Sequence, residues 1–302
     1  MASAFEEMAA GLSDGLADLA ARAGRSVVRV DGRRAPASGI VWAGGAVVTA
    51  HHNLERDEVS VGFADGRTAV AEVAGRDPAT DLAALRVDTA DAPAPEWADP
   101  AALRAGQLLA GVTRPGRAPR VSLGILARVS DAWRAPAGGK LDRYLEAEIP
   151  LHPGFSGGLA LALGGGAAGM LSAGILRGTS LVVARPTLER VVSQLLAHGS
   201  IRRGFLGIAS LPVRLPGALE RLAGQAGALL VSAVEPGSPA DRAGLLLGDA
   251  LVSLDGQALS SVGDLLPLLD ADRVGRQVAL VLVRGGELRQ LTVEVGARGG
   301  ER

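Results

Sequence analysis

Ser156 lies in the glycine-rich segment Gly-Phe-Ser-Gly-Gly at residues 154–158. A serine hydroxyl becomes a good nucleophile only when a positioned base removes its proton, and the base needs a carboxylate to hold its tautomer and orientation. Glycines on both sides of a serine allow a sharp turn that exposes the hydroxyl. They also let the N–H groups of Gly154 and Ser156 point at one spot, where an oxyanion would form. The segment therefore predicts a nucleophile, although serine in a glycine-rich turn is also common for structural reasons alone.

The order of the candidate residues along the chain separates two kinds of hydrolase. The same pentapeptide fits the nucleophile elbow of α/β-hydrolases, in which the acid and then the histidine follow the serine. The only histidine after Ser156 is His198, at the end of a predicted helix. His51 and His52, followed by Asp81, precede the serine instead. This His, Asp, Ser order is that of the double-barrel proteases and favours a protease.

Each of these residues has a structural explanation when it is considered alone. A histidine at a strand end is often a hydrogen-bonding group, and an aspartate in a turn before an apolar strand is common. The pair His51 and His52 could indicate a metal site, but no third ligand stands at a matching spacing. The chain contains no cysteine, which excludes thiol catalysis, disulfides and cysteine-based zinc sites. We therefore expect no metal and no other cofactor.

Short apolar runs bounded by Gly, Asp or Pro recur about every ten residues between 26 and 184, a pattern typical of an all-β sandwich or barrel. Residues 132–140, with one proline and two glycines, suggest an exposed loop. Residues 187–198 have helical periodicity. After residue 200, short strands alternate with short helical segments. We predict an N-terminal amphipathic helix over 1–24, a β-rich domain over 25–199 and a small β/α module over 201–298.

Composition limits the partners and the location of the protein. Of the 302 residues, 48% are hydrophobic and 21% charged, as in ordinary globular proteins. The formal net charge of −1 gives no reason to expect nucleic acid or an anionic membrane as a partner. The first 24 residues form an acidic amphipathic pattern rather than a signal peptide, and no apolar run is long enough to span a bilayer. We expect a cytoplasmic protein, or a periplasmic one if a leader was removed. The apolar face of the predicted helix contains Phe5, Met8, Leu12, Leu16 and Leu19.

Four segments in order resemble the successive motifs of the HtrA/Deg family of serine proteases. They are Ala-Ser-Gly-Ile-Val at 37–41, Val-Val-Thr-Ala-His-His at 47–52, Thr-Asp-Leu-Ala-Ala-Leu at 80–85 and Pro-Gly-Phe-Ser-Gly-Gly at 153–158. Arg-Gly-Phe-Leu-Gly-Ile at 203–208 resembles the family's junction into a PDZ domain. The resemblance covers about residues 25–298. It implies a mostly β protein, in which a chymotrypsin-like double β-barrel precedes a C-terminal α+β PDZ domain.

The resemblance also implies a role for each residue of the triad. His52, three positions after Thr49, aligns with the base, Asp81 with the orienting acid and Ser156 with the nucleophile. His51 occupies a position where the family usually has a small or amide residue, and it remains the alternative base.

The resemblance implies further site residues around the triad. The oxyanion hole would be formed by N–H groups of Gly154, Phe155 and Ser156. Residues 171–175 would form the edge strand that pairs with substrate, and we expect a small or medium aliphatic side chain at the cleavage site. The predicted substrate-binding residues are Leu151, Ser172, Ala173 and Gly174.

In the PDZ-like module, backbone N–H groups of a short loop would capture the C-terminal carboxylate of a peptide, and the strand that follows would add the peptide as an extra β-strand. The predicted peptide-binding residues are Phe205, Leu206, Gly207 and Ile208.

As a whole, the resemblance implies an ATP-independent endopeptidase for unfolded or damaged proteins, active in protein quality control and stress response. It also implies a homo-oligomer, with a trimer expected. Phe155 stands where the family commonly has Asn, and Leu159 replaces its usual Pro. The loop after Ile175 is short as well. These departures, together with His51, leave open a proteolytically weak or inactive PDZ scaffold or chaperone.

Overall fold

A computed structural model describes residues 3–150 and 152–298; the side chains of Phe5, Asp272 and Arg298 lie outside this description. By their contacts, the residues divide into two compact units, 1–201 and 202–302.

The first unit begins with helix α1 (Ala4–Gly24), which starts at a capping box formed by Ser3 and Glu6. Leu16 and Leu19, in the C-terminal half of the helix, pack against the core of the unit. Met8 and Leu12 in the N-terminal half are exposed. Among its described side chains, the predicted apolar face is therefore partly buried within this chain at Leu16 and Leu19 and exposed at Met8 and Leu12.

Six antiparallel strands close a first barrel, in the order β1-β2-β3-β6-β5-β4. Its interior is filled by apolar side chains such as Val30, Val47 and Leu85. The strands are β1 (Val27–Asp31), β2 (Ala37–Trp42), β3 (Ala46–Ala50), β4 (Glu58–Gly62), β5 (Thr68–Asp77) and β6 (Leu82–Arg86).

A second closed barrel has the order β11-β14-β13-β12-β7-β8 and a core that includes Leu126, Leu145 and Leu171. Its strands are β7 (Leu108–Thr113), β8 (Arg120–Ser130), β11 (Tyr144–Glu148), β12 (Leu159–Ala162), β13 (Ala167–Ser172) and β14 (Ser180–Ala184). A short hairpin of β9 (Trp133–Arg134) and β10 (Lys140–Leu141) connects β8 to β11. Ala135 within this connection is buried. The prediction of an exposed loop over 132–140 is therefore wrong in part.

A shared core lies between the barrels and includes Val48, Leu82, Leu159 and Met170. Helix α2 (Arg185–His198) packs on strands of both barrels and buries Leu188 in that core. The functional side chains described below lie at strand ends and turns around this core.

The second unit contains a sheet in the order β16-β17-β18-β20-β21, with β19 paired to β18. Its strands are β16 (Ile208–Arg214), β17 (Gly227–Val234), β18 (Ala250–Leu254), β19 (Gln257–Ala258), β20 (Gln277–Arg284) and β21 (Glu287–Glu294). Strand β15 (Arg203–Phe205) pairs with β22 (Gly296–Arg298). The α-helices are α3 (Gly217–Ala223), α4 (Pro239–Arg242) and α5 (Val262–Leu265). The prediction of a mostly β double barrel followed by an α+β module is confirmed. No described helix combines the length and apolar character needed to cross a bilayer.

Candidate active site

The end of strand β3 presents the histidine pair. A single 3-10 turn over His51–Asn53 follows Ala50. The side chain of His52 is 36% exposed and lines a cavity of about 410 Å³, which Ser156 also lines. The histidine and the serine predicted from the sequence therefore face the same cavity.

Asp81 supplies the carboxylate for His52. Its Oδ1 and Oδ2 lie 2.9 and 2.8 Å from His52 Nδ1, and Oδ1 also accepts the His52 N–H at 3.1 Å. The hydroxyl of Ser172 donates to Oδ2 at 2.6 Å. Asp81 has φ +56°, an unusual backbone conformation for a non-glycine residue that is found at functional sites. A carboxylate on Nδ1 stabilises the tautomer with the proton on that nitrogen, and Nε2 is then available to accept a proton.

His51 has different surroundings. Its Nδ1 is buried without a hydrogen-bond partner among the residues described. Burial lowers the pKa of His51; Arg76 and His52 add to this effect, and it exceeds the opposing influence of Asp81. The carboxylate of Asp81 hydrogen-bonds to the ring of His52, so the geometry favours His52 as the base.

Ser156 lies in the turn between β11 and β12. Phe155 is 2% exposed and anchors this turn in the core of the second barrel, while Gly154 has φ +81°, a conformation that favours glycine. The Oγ of Ser156 accepts the N–H of Ala173 at 3.1 Å. No hydrogen bond joins it to His52 within the described part of the chain. Catalytic hydrogen bonds are often long in ligand-free enzymes and tighten when substrate binds.

Residues of the first barrel hold the serine turn in place. Asn53 Nδ2 donates to the Ser156 carbonyl at 2.9 Å. Ser38 Oγ donates to the Gly154 carbonyl at 2.7 Å, and Thr49 Oγ1 donates to the Ser38 carbonyl at the same distance. We did not identify Ser38 and Asn53 from the sequence. The sequence feature that could have indicated them is their position: each is a polar residue within or directly after one of the motifs that resemble the family.

One of the three N–H groups predicted for the oxyanion hole, that of Phe155, is not available in the structure. The N–H of Phe155 donates to the His152 carbonyl at 3.0 Å, so it is not free to bind an oxyanion. The N–H groups of Gly154 and Ser156 have no acceptor anywhere in residues 3–150 or 152–298. Of the three N–H groups predicted for the oxyanion hole, these two have no acceptor among the described residues.

The predicted substrate strand contacts the acid and the base as well as the cavity. Leu151 lies outside the described residues. The hydroxyl of Ser172 is bonded to Asp81 and its side chain is buried, so it cannot also bind substrate. A Cβ on Gly174 would lie 2.5 Å from His52 Nδ1 and 2.6 Å from Asp81 Oδ2. Glycine at 174 therefore leaves room for the contact between the acid and the base, which the sequence did not indicate.

In the second unit, the loop before β16 is fixed by its carbonyl groups. Those of Leu206 and Gly207 accept N–H groups of Ala240 and Glu235 at 2.8 Å each. The N–H groups of Leu206 and Gly207 have no acceptor among the described residues. Strand β16 is an edge strand of its sheet. Backbone donors beside a sheet edge can bind a peptide terminus and add a strand.

In the part of the chain that the structure describes, no three His, Asp or Glu side chains are grouped so as to hold a metal ion. The chemistry that the arrangement supports is that of a serine nucleophile with a histidine base and backbone oxyanion donors.

Comparison with known families and proteins agrees with this geometry. Residues 37–170 match the family model of the trypsin-like peptidase domain, and residues 204–295 match that of the PDZ domain. A probable periplasmic serine endoprotease DegP-like from Halomonas elongata is 32% identical over 272 residues, covering 87% of this chain and 57% of that protein. A protein of the same description from Pseudomonas fluorescens is 30% identical, and the match covers 85% of this chain and 55% of that protein. The chain thus spans little more than half the length of these relatives.

Solved structures give the same fold. The HtrA-type protease AlgW with tripeptide has a TM-score of 0.71 at 26% identity, covering 93% of this chain and 97% of its own. A serine endoprotease from Yersinia pestis has a TM-score of 0.72 at 22% identity, with coverage of 93% and 97%, and supports the fold alone.

Fold, site and domain matches define a protein with a trypsin-like peptidase domain followed by a PDZ domain. The chain belongs to the HtrA/Deg family of serine proteases.

Proposed function

We propose that this chain is an ATP-independent serine endopeptidase that cleaves unfolded or damaged proteins. The observation that carries the proposal is the Asp81 carboxylate at 2.8 Å from His52 Nδ1, with His52 and Ser156 in one cavity. The curated relatives are named serine endoproteases, which supports the same reaction here. A role in protein quality control follows from this substrate class.

In the proposed mechanism, Asp81 keeps the proton of His52 on Nδ1. As substrate enters, Ser156 Oγ leaves the Ala173 N–H and gives its proton to His52 Nε2 while it attacks the carbonyl carbon of the scissile bond. The N–H groups of Gly154 and Ser156 stabilise the negative charge that develops on the carbonyl oxygen. His52 then gives the proton to the amine as the C–N bond breaks, which leaves the acyl group on Ser156 Oγ. In the second half, His52 takes a proton from water as its oxygen attacks the acyl carbon, and returns it to Oγ as the ester bond breaks.

For the second unit, we propose that the loop over residues 205–208 binds the C-terminal carboxylate of a peptide. The unoccupied N–H groups of Leu206 and Gly207 support this role, because they are donors without an acceptor in the described part of the unit. The peptide would extend along edge strand β16, beside α5, and add to the sheet. Phe205 and Ile208 flank these donors.

Three further expectations belong to the same proposal. We place the domain boundaries at 1–24, 25–199 and 201–298. We propose a homotrimer, to which the exposed Met8 and Leu12 of α1 would contribute apolar surface. The relatives are named periplasmic, so we propose the periplasm as the compartment in place of the cytoplasmic expectation.

Hydrolysis of unfolded casein without ATP tests the peptidase proposal. The wild type and the Ser156→Ala variant are compared with a control, Ser193→Ala, on α2. We expect the wild type and the control to degrade casein equally and Ser156→Ala to leave it intact. Equal degradation by Ser156→Ala would reject the nucleophile. No degradation by any of the three would favour the alternative, a PDZ scaffold or chaperone on an inactive protease fold.

A further inference from the structure

Arg114, in the turn after β7, is 4% exposed although it carries a guanidinium group. Its Nε donates to the Val27 carbonyl at 2.7 Å and its Nη2 to the Gly24 carbonyl at 2.7 Å. Its Nη1 donates to the Arg117 carbonyl at 2.6 Å. Among the described residues, its side-chain partners are therefore three carbonyls and no carboxylate.

Burying a charge without a counterion is costly, and burial lowers the pKa of Arg114. The location of the guanidinium offsets part of this cost. Gly24 is the last residue of α1, where the carbonyls lack helical partners and carry the negative end of the helix dipole. The side chain thus ties the end of α1 and the start of β1 to its own turn.

The backbone N–H of Arg114 begins a chain of hydrogen bonds that ends at the serine turn. The N–H of Arg114 donates to Ser38 Oγ at 2.9 Å, and Ser38 Oγ donates to the Gly154 carbonyl at 2.7 Å. A hydroxyl has one proton to donate, so the bond from Arg114 to the Ser38 oxygen directs that proton to Gly154. Ser38 is fully buried, which removes competition from water. Gly154 is two residues before Ser156.

We propose that Arg114 is a positioning residue for the oxyanion hole, and that it couples the packing of α1 to the position of Gly154, whose N–H is one of the two oxyanion donors. Its guanidinium fixes the turn against α1, and its N–H orients Ser38, which holds the Gly154 carbonyl. The inference rests on the proposed peptidase function, because it names a determinant of the same site.

The proposed coupling affects kcat more than KM. The oxyanion exists only in the transition state, so a misplaced Gly154 N–H lowers kcat and leaves substrate affinity unchanged. The contact between Asp81 and His52 does not include Arg114. The pH at which kcat/KM is half-maximal on its acid side should therefore stay the same.

Four variants of this chain test the coupling by peptide hydrolysis. Arg114→Met removes the charge but keeps a long side chain, Arg114→Lys keeps the charge, and Ser38→Ala removes the hydroxyl. Arg190→Met on α2 is the control, since Arg190 also bonds a backbone carbonyl and an aspartate but has no path to the serine turn. We expect Arg114→Met and Ser38→Ala to lower kcat by about tenfold or more with KM within about twofold, because small misplacements of catalytic groups have large effects. Arg114→Lys should recover part of the loss, and Arg190→Met should match the wild type.

Folded Arg114→Met with wild-type kcat, or with a change confined to KM, would overturn the proposal. Hydrogen exchange of the amides in residues 152–158 provides a second measurement that does not need activity. Faster exchange in Arg114→Met and Ser38→Ala, but not in Arg190→Met, supports the coupling even if the wild type proves inactive and the peptidase proposal fails. Unchanged exchange in the Ser38→Ala variant rejects the coupling, whether or not Arg114→Met folds.

Discussion

Gly174→Ala tests the geometry of the acid and the base with a single methyl group. The added carbon would lie 2.5 Å from His52 Nδ1, where ordinary contact begins at about 3.4 Å, so the imidazole must retreat by about 0.9 Å. Asp81 Oδ2, at 2.6 Å from the same carbon, must move as well. A misplacement of about 1 Å costs roughly 10²-fold in rate, equivalent to about 2.7 kcal/mol in the barrier.

The assay is kcat/KM on a peptide substrate for Gly174→Ala, Asp81→Asn and the control Gly165→Ala. Gly165 lies between β12 and β13, and a Cβ there meets no atom within 4 Å. We expect a loss of about 10²-fold for Gly174→Ala, a loss of about 10⁴-fold for Asp81→Asn through the wrong histidine tautomer, and no loss for the control. Wild-type activity in a folded Gly174→Ala protein would refute the assignment of Asp81 and His52 as a working pair.

Three other predictions concern single contacts. Asn53→Leu leaves the Ser156 carbonyl without its donor and should lower the free energy of unfolding in urea by about 1–3 kcal/mol; an unchanged midpoint would contradict this. Burial opposes ionisation of Asp249, but hydrogen bonds from Arg284 and the backbone hold the pKa of Asp249 below its ordinary value of 3.8. Its stabilisation is therefore complete above that pH and is lost as pH falls through the depressed pKa, and Asp249→Asn should remove this acid dependence from thermal unfolding; the same pH slope in the variant would argue against it. A peptide with a free C-terminal carboxylate should bind more than tenfold tighter in fluorescence anisotropy than its amide, and equal affinity would reject carboxylate capture by Gly207 and its neighbours.

Motif order was the part of the site that the sequence could predict. His52, Asp81 and Ser156 each follow or precede a short apolar strand, and their order along the chain excluded the α/β-hydrolase elbow without any coordinates. The alternation of apolar runs and turns likewise predicted a β-rich first unit and a β/α second unit, both of which the structure has.

Contacts between residues far apart in sequence could not be predicted. Ser38 meets Gly154 and Ser172 meets Asp81 only because two closed barrels bring distant strand ends together. The residue types around Ser156 did not indicate that the Phe155 N–H would donate to the His152 carbonyl, because this hydrogen bond depends on the backbone path of the turn. The hairpin within residues 132–140 and its partial burial were missed because its proline and glycines suit both an exposed loop and a tight hairpin.

Reaction with a fluorophosphonate that carries a reporter tests the central claim most directly, since the reagent forms a bond only with a nucleophile activated by its base. Peptide mapping of the labelled wild type should place the phosphonyl group on Ser156. Labelling should be abolished in His52→Ala and strongly slowed in Asp81→Asn, while His51→Ala should react normally. Label on another residue, or loss of reaction in His51→Ala with retention in His52→Ala, would contradict the triad proposed for this chain.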